Sequence, residues 1–139
     1  MLDFLFVYGS LMHQVGHEKG LRLQSEADYL GAAKVPGRLY RLSWYPVAKD
    51  AAGPRDVLHG AVYRLRTPAE SLIWLDAYEG ITQDPSSAAD EDEFFRTERI
   101  ATLANGKALP VFIYFYRPER PESERIASGS WLIEKGIKA

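Results

Sequence analysis

The sequence contains no cysteine among its 139 residues. This absence excludes disulfide bonds, thiolate zinc sites and iron–sulfur clusters, because each of them needs cysteine sulfur. It also excludes every mechanism that uses a cysteine nucleophile. Any chemistry at a functional site must therefore come from oxygen and nitrogen groups.

Long apolar runs and an excess of positive charge are also missing. The first apolar run, Leu2 to Val7, is interrupted by Asp3 and has no basic flank, so it does not resemble a signal peptide. No stretch approaches the roughly 18 apolar residues of a membrane helix. The 17 Lys and Arg against 19 Asp and Glu give no broad basic surface for nucleic acid. We therefore expect a cytoplasmic protein that binds neither membranes nor nucleic acids.

The composition is typical of a folded chain. Hydrophobic residues make up 46% of the sequence, which contains 3 Trp, 8 Tyr and 6 Phe. A chain of this length can bury roughly two-thirds of its unfolded surface. We expect a single domain over residues 1–139. The sequence makes no prediction about the oligomeric state.

Five segments show the apolar or alternating pattern of β-strands. These predicted strands cover residues 4–8, 39–47, 58–65, 94–103 and 110–116. Asn105-Gly106 is a hairpin signal between the last two strands, and residues 13–30 fit a helix or an ordered loop equally. Because strand mostly follows strand, we predict an α+β domain with a mixed, barrel-like sheet and few helices.

The strongest helix signal lies at about Pro68–Glu79. Thr67 is the expected N-cap, Glu70 follows it by three residues, and Gly80 stands where a left-handed C-terminal cap is expected. Glu79 falls in the last turn, where the helix dipole disfavours a negative charge and so raises the pKa of the carboxyl. A raised pKa suits a general base. The alternative is a surface glutamate without a role.

The segment Tyr8-Gly9-Ser10-Leu11 follows the first buried strand. Glycine at this position lets the backbone turn sharply and come close to a ligand. Successive N–H groups after such a turn can hold a carboxylate. The segment is therefore a candidate anion-binding turn, although many strands end at glycine without binding anything.

Other polar and aromatic groups have two interpretations each. His13 and His17, four residues apart, could share a helix face as metal ligands, but no third ligand lies near in sequence and a structural role is favoured. The acidic run Asp90–Glu93 lacks the spacing of a calcium loop, so we expect a solvated loop. His59 is expected to be a packed or surface histidine. Three aromatics of the second predicted strand could stack on a ligand but are expected in the core: Tyr40, Trp44 and Tyr45.

Short motifs along nearly the whole chain together resemble one known family. They occur in the order Tyr8-Gly9-Ser10-Leu11, Tyr45-Pro46, Gly60-Ala61-Val62-Tyr63, Leu75-Asp76, Glu79-Gly80, Phe94-Phe95-Arg96, Val111–Tyr116 and Gly129-Ser130-Trp131. This set is similar to the gamma-glutamylcyclotransferase-like family, which includes the AIG2-like and gamma-glutamylamine cyclotransferase proteins. One departure is Phe94, because the family often has a tyrosine two residues before the arginine.

The resemblance implies a compact β-barrel domain and an enzyme that releases 5-oxoproline from gamma-glutamyl compounds. In that reaction the substrate's own α-amine attacks its γ-carbonyl, so no enzyme nucleophile, metal or cofactor is required. Glu79 would be the catalytic general base. The residues that would bind the small-molecule gamma-glutamyl substrate are Tyr8, Gly9, Ser10, Leu11 and Tyr116.

Two other functions are compatible with the sequence. Many proteins of this family have no shown activity, so the chain could be a catalytically silent domain that binds a small molecule. The run Asp90–Glu93 could instead make it a protein–protein adaptor. The glutamate at position 79 favours the enzyme, because a binding protein has no need of a base there.

Overall fold

Five of the seven strands that we describe close into a barrel. The computed structural model describes residues 2–81 and 92–137. Its strands and helices are, in chain order, β1 Phe4–Val7, α1 Glu18–Glu26, β2 Ala27–Pro36, β3 Arg38–Leu42, β4 Tyr45–Lys49, β5 Val57–Leu65, α2 Pro68–Tyr78, β6 Phe94–Leu103, β7 Ala108–Tyr116 and α3 Trp131–Lys135. The barrel runs in the order β1-β5-β2-β6-β7, while β3 and β4 form a separate two-stranded sheet.

The sheet is mixed because one pairing differs in direction. β1 lies parallel to β7, with Leu5 opposite Phe112, and this pairing closes the barrel. The other pairings in the barrel are antiparallel. Closure leaves the barrel strands without free edges. The prediction of a small α+β domain with a mixed, barrel-like sheet is confirmed.

The barrel strands bury side chains on both faces. On β1, Phe6 packs into a cluster with members from all five barrel strands, among them Val35, Ala101 and Ile113. Its neighbours on β1 point to the opposite face, where Leu5 joins a cluster with residues of α1 and α2. Because both faces of β1 are covered, its sequence is a continuous apolar run, as expected for a buried strand.

The helix predicted at Pro68–Glu79 is present as α2, with Glu79 as its C-cap. Gly80 adopts the left-handed conformation, with φ 75°, and its N–H bonds to Ala77 O. Thr67 occupies the predicted N-cap position, although its side chain makes no capping hydrogen bond. None of the helices within the described ranges is long and apolar enough to cross a membrane.

One prediction about strands is wrong, and one strand of the structure was not predicted. Residues 39–47 do not form one strand, because the chain reverses between Leu42 and Tyr45 and makes the β3–β4 hairpin. Ser43 takes a positive φ of 60° at that turn, which the sequence does not signal with glycine or asparagine. The long strand β2 was not predicted, because a register shift between Tyr29 and Gly31 interrupts its alternation.

Candidate functional site

A cavity of about 430 Å³ opens where β1 ends. Three chain segments form most of its wall: the turn at Tyr8–Leu11, the tip of the β3–β4 hairpin at 44–46, and the end of α2 at 78–80. The other lining residues are Phe6, Val7, Glu93, Phe94 and Tyr114. The barrel fixes β1 and β7, and the left-handed cap at Gly80 ends α2 beside them. The fold therefore brings together segments that are far apart in sequence.

The turn after β1 lines the cavity with Gly9, Ser10 and Leu11. It is closed by the Met12 N–H, which donates to Gly9 O at 3.0 Å. Within residues 2–81 and 92–137, the N–H groups of Gly9, Ser10 and Leu11 donate to no other protein group. Gly9 packs directly against Pro46, since a Cβ at Gly9 would lie 2.8 Å from Pro46 Cγ. The turn is thus a short arc of donors held against the hairpin tip.

Glu79 lines the same cavity from the end of α2, and its side chain is half-buried. Its carboxylate accepts no hydrogen bond from the part of the chain that the structure describes. Burial, and secondarily the negative charge of Asp76 three residues earlier, raise the pKa of Glu79 from 4.5 to about 7. The group can therefore gain or lose a proton near neutral pH, as a general base must.

Hydrogen bonds that involve both the backbone carbonyl and the side chain of Tyr114 join Tyr8, Tyr114 and Asp76. Tyr8 donates its hydroxyl to Tyr114 O at 2.6 Å, and the Tyr114 hydroxyl donates to Asp76 Oδ1, also at 2.6 Å. Arg96 Nε lies 3.4 Å from the same carboxylate oxygen. Sequence reasoning assigned no role to Asp76 or Tyr114. The spacing of three residues between Asp76 and Glu79 on one helix could have indicated that the two carboxylates are close.

A family model described as gamma-glutamyl cyclotransferase, AIG2-like, matches residues 5–133. The chain belongs to this family. This match confirms the resemblance that the sequence motifs indicated. No curated protein matches the chain in sequence.

Solved structures with the same fold are similar to the chain at low sequence identity. An uncharacterised protein from Pyrococcus horikoshii is 19% identical, with 96% of this chain and 92% of that chain covered and a TM-score of 0.63. An AIG2-like protein from Mus musculus is 20% identical over 87% and 81% of the two chains, with a TM-score of 0.66. A structure titled gamma-glutamyl cyclotransferase is 17% identical over 85% and 68%, with a TM-score of 0.58.

The AIG2-like site contains four of the five residues predicted to bind substrate, and Tyr116 is the exception. Tyr8 and the Gly9–Leu11 turn line the cavity. Tyr116 is not among the described residues that line it, and its hydroxyl donates instead to Glu93 Oε2 at 3.0 Å. Tyr114, two residues earlier on the same face of β7, reaches the cavity in its place. Tyr116 therefore contacts the cavity lining through Glu93.

Aromatic side chains surround the outer part of the cavity. Trp44 and Tyr45, which were expected in the core, line it instead, and Trp44 is 61% exposed. The Trp44 ring stacks on the His17 ring, with centroids 6.2 Å apart. Tyr40 is buried in the core as predicted. Phe94 lines the cavity with a ring that has no hydroxyl, so it offers apolar contact at a position where the family often has tyrosine.

The histidines of this AIG2-like chain make structural contacts. His17 Nδ1 accepts the Lys19 N–H and so caps α1, while His13 Nδ1 lies 3.0 Å from the Tyr63 hydroxyl. His59 pairs through its backbone with Gly129. In the described ranges no three His, Asp or Glu side chains come together as metal ligands would. Of the acidic run, Asp90 and Glu91 lie outside the described residues.

Proposed function

We propose that the protein is a gamma-glutamyl cyclotransferase that converts a gamma-glutamyl amine or amino acid into 5-oxoproline and a free amine. The α-nitrogen of the substrate forms a bond to its own γ-carbonyl carbon and closes a five-membered lactam. The bond from that carbon to the outer nitrogen then breaks. The α-ammonium nitrogen loses two protons as it becomes the lactam N–H, and the leaving nitrogen gains two as it departs as an ammonium ion, so the reaction consumes no water. Glu79 carries these protons from one nitrogen to the other.

The observation that carries this proposal is a carboxyl group with a pKa of about 7 inside a cavity of substrate size. The α-ammonium group must lose a proton before its nitrogen can attack. A base with a pKa near the working pH is a fair acceptor for that proton, and its conjugate acid is a fair donor to the leaving amine. Glu79 also has no protein hydrogen-bond donor among the described residues, which leaves its carboxylate available to the substrate.

The turn at Gly9–Leu11 is the proposed anchor for the α-carboxylate. Its three N–H groups supply donors without a charged side chain. Ser10 Oγ and the Tyr78 hydroxyl lie 2.8 Å apart, and since one donates to the other, the pair keeps one proton free for the γ-carbonyl oxygen. Holding amine and carbonyl together is worth roughly 7–11 kcal/mol in the best intramolecular reactions. A single donor to the oxyanion adds about 3–4 kcal/mol.

The proposed reaction needs neither a metal nor a cofactor, because an amine attacks a carbonyl within one molecule. The positioning of the substrate and the proton transfer by Glu79 supply what the closure requires. The proposed setting is the cytoplasm, and the proposed substrate is a small soluble molecule.

A panel of gamma-glutamyl compounds tests the proposal. The panel should include gamma-glutamyl amino acids, gamma-glutamyl-lysine and gamma-glutamyl alkylamines, with release of 5-oxoproline measured by mass spectrometry. We expect turnover of at least one class well above the rate without enzyme. Binding of the panel without any 5-oxoproline would instead identify a silent binding domain of the same fold and would refute the proposed activity.

A further inference from the structure

The hydroxyl group of Tyr114 gives its only proton away from the cavity. It donates to Asp76 Oδ1 at 2.6 Å, although Tyr114 itself lines the cavity wall. A phenol has one proton and can accept at its remaining lone pairs. Burial and the neighbouring Asp76 carboxylate raise the pKa of Tyr114 far above its ordinary value, so the hydroxyl keeps its proton. Toward a ligand, the Tyr114 oxygen can therefore only accept hydrogen bonds.

Asp76 is held in the orientation that this arrangement needs. Arg96 Nε lies 3.4 Å from the same Oδ1 atom that accepts the Tyr114 proton. The Arg96 guanidinium in turn packs over the Phe112 ring, with 4.8 Å between Cζ and the ring centroid. Both neighbours of Asp76 are donors, so its carboxylate is the acceptor for each of them.

Tyr8 is arranged in the same way. Its hydroxyl proton is used by Tyr114 O at 2.6 Å. Tyr8, Tyr114 and Glu79 line the same cavity. The charge of Glu79 is among the causes that raise the pKa of both tyrosines, while the backbone N–H of Ala48 acts on Tyr8 in the opposite direction. This end of the cavity therefore offers a cluster of acceptors, whereas the Gly9–Leu11 turn offers donors.

We propose that Asp76 is a positioning residue that makes Tyr114 a hydrogen-bond acceptor for the α-ammonium group of the substrate. This inference rests on the gamma-glutamyl substrate proposed above. A protonated primary amine has three N–H donors and no acceptor. Glu79, Tyr114 and Tyr8 supply acceptors for it, and while Glu79 is ionised these three side chains offer no donor to a misplaced carboxylate or carbonyl. The arrangement thus fixes which end of the substrate meets the base.

Two probes that differ only in the amine test the inference. They are 2-amino-5-alkoxypentanoate and 5-alkoxypentanoate, which lack the γ-carbonyl and so cannot cyclise. The measured quantity is the ratio of their dissociation constants, taken at about pH 8, where Glu79 is mostly ionised. We expect the wild type to prefer the amine-bearing probe. A wild type without that preference, or one that binds neither probe, overturns the inference.

Three variants separate the proposed role from a merely structural one. Asp76→Leu fills the space without an acceptor and frees the Tyr114 proton, so the preference should fall about tenfold or more. Asp76→Asn removes the charge but keeps one amide oxygen. Because Tyr114 and Arg96 are both donors, we expect this oxygen to face them and to accept the Tyr114 proton as before. The Asn variant should therefore keep most of the wild-type preference. Tyr114→Phe should lose the preference as Asp76→Leu does, and combining the two changes should cost nothing further.

Two results would contradict the inference. If Asp76→Leu weakened the binding of both probes equally, the role of Asp76 would be structural. If Asp76→Asn lost as much of the preference for the amine-bearing probe as Asp76→Leu does, only the charge of Asp76 would matter. Tyr114→Phe removes a single oxygen atom and keeps the inference testable if Asp76→Leu does not fold. Tyr63→Phe is the matched control, because Tyr63 is equally buried but its hydroxyl lies against His13. Turnover of the substrate panel tests the proposed function separately.

Discussion

Replacement of Glu79 by glutamine should stabilise the protein at alkaline pH and change its stability little in acid. In the folded protein the pKa of Glu79 is raised from 4.5 to about 7, chiefly by burial. The folded state therefore binds an extra proton between these two values, so the wild type loses stability as the pH rises through this window. Glutamine does not titrate and escapes this loss. At about 1.36 kcal/mol per pKa unit, the full difference is about 3 kcal/mol.

Urea denaturation followed by tryptophan fluorescence measures this difference. The free energy of unfolding of Glu79→Gln minus that of the wild type should increase by about 3 kcal/mol between about pH 4.5 and about pH 8.5. Titrations of groups that do not interact with Glu79 cancel in this subtraction. Glu70→Gln is a suitable control, since Glu70 is an exposed glutamate in the first turn of the same helix. A Glu79→Gln difference that is the same at both pH values would refute the raised pKa.

Three further predictions concern the site. Asp76→Asn removes the negative charge that helps to raise the pKa of Glu79, so the acid limb of the pH profile of kcat/KM should move to lower pH, and an unmoved limb would contradict this coupling. Gly9→Ala places a Cβ 2.8 Å from Pro46 Cγ and should lower kcat/KM about tenfold or more while circular dichroism shows a folded protein; wild-type kinetics would mean that the turn tolerates the shift. Turnover should survive exhaustive treatment with EDTA, and a loss that zinc restores would overturn the metal-free reaction.

The elements with strong local signals could be predicted from the sequence. β1 is a short apolar run that ends at glycine, and α2 has a proline at its start and a left-handed glycine at its end. These signals depend only on residues that are a few positions apart in sequence. The position of Glu79 at a helix end followed from them, and with it the direction of its pKa shift.

The missed features depend on contacts that are distant in sequence. A register shift between Tyr29 and Gly31 breaks the apolar alternation of β2, so the local sequence does not indicate a strand. Its hydrogen bonds with β5, a strand distant in sequence, stabilise the extended conformation. The contact between Asp76 and Tyr114 joins residues 38 positions apart on different elements. Tyr114 rather than Tyr116 lines the cavity, and the position of β7 beside β1 depends on the pairing of Leu5 with Phe112 that closes the barrel.

Production of 5-oxoproline by the wild type and by Glu79→Gln tests the central claim most directly. The measurement uses whichever gamma-glutamyl compound the wild type processes fastest, and both proteins are shown to be folded. If Glu79 carries the proton, the variant should turn over about a hundredfold more slowly or worse, while its affinity for a non-cyclising analogue without the α-amine stays near that of the wild type. A folded Glu79→Gln protein that forms 5-oxoproline at the wild-type rate would contradict the account.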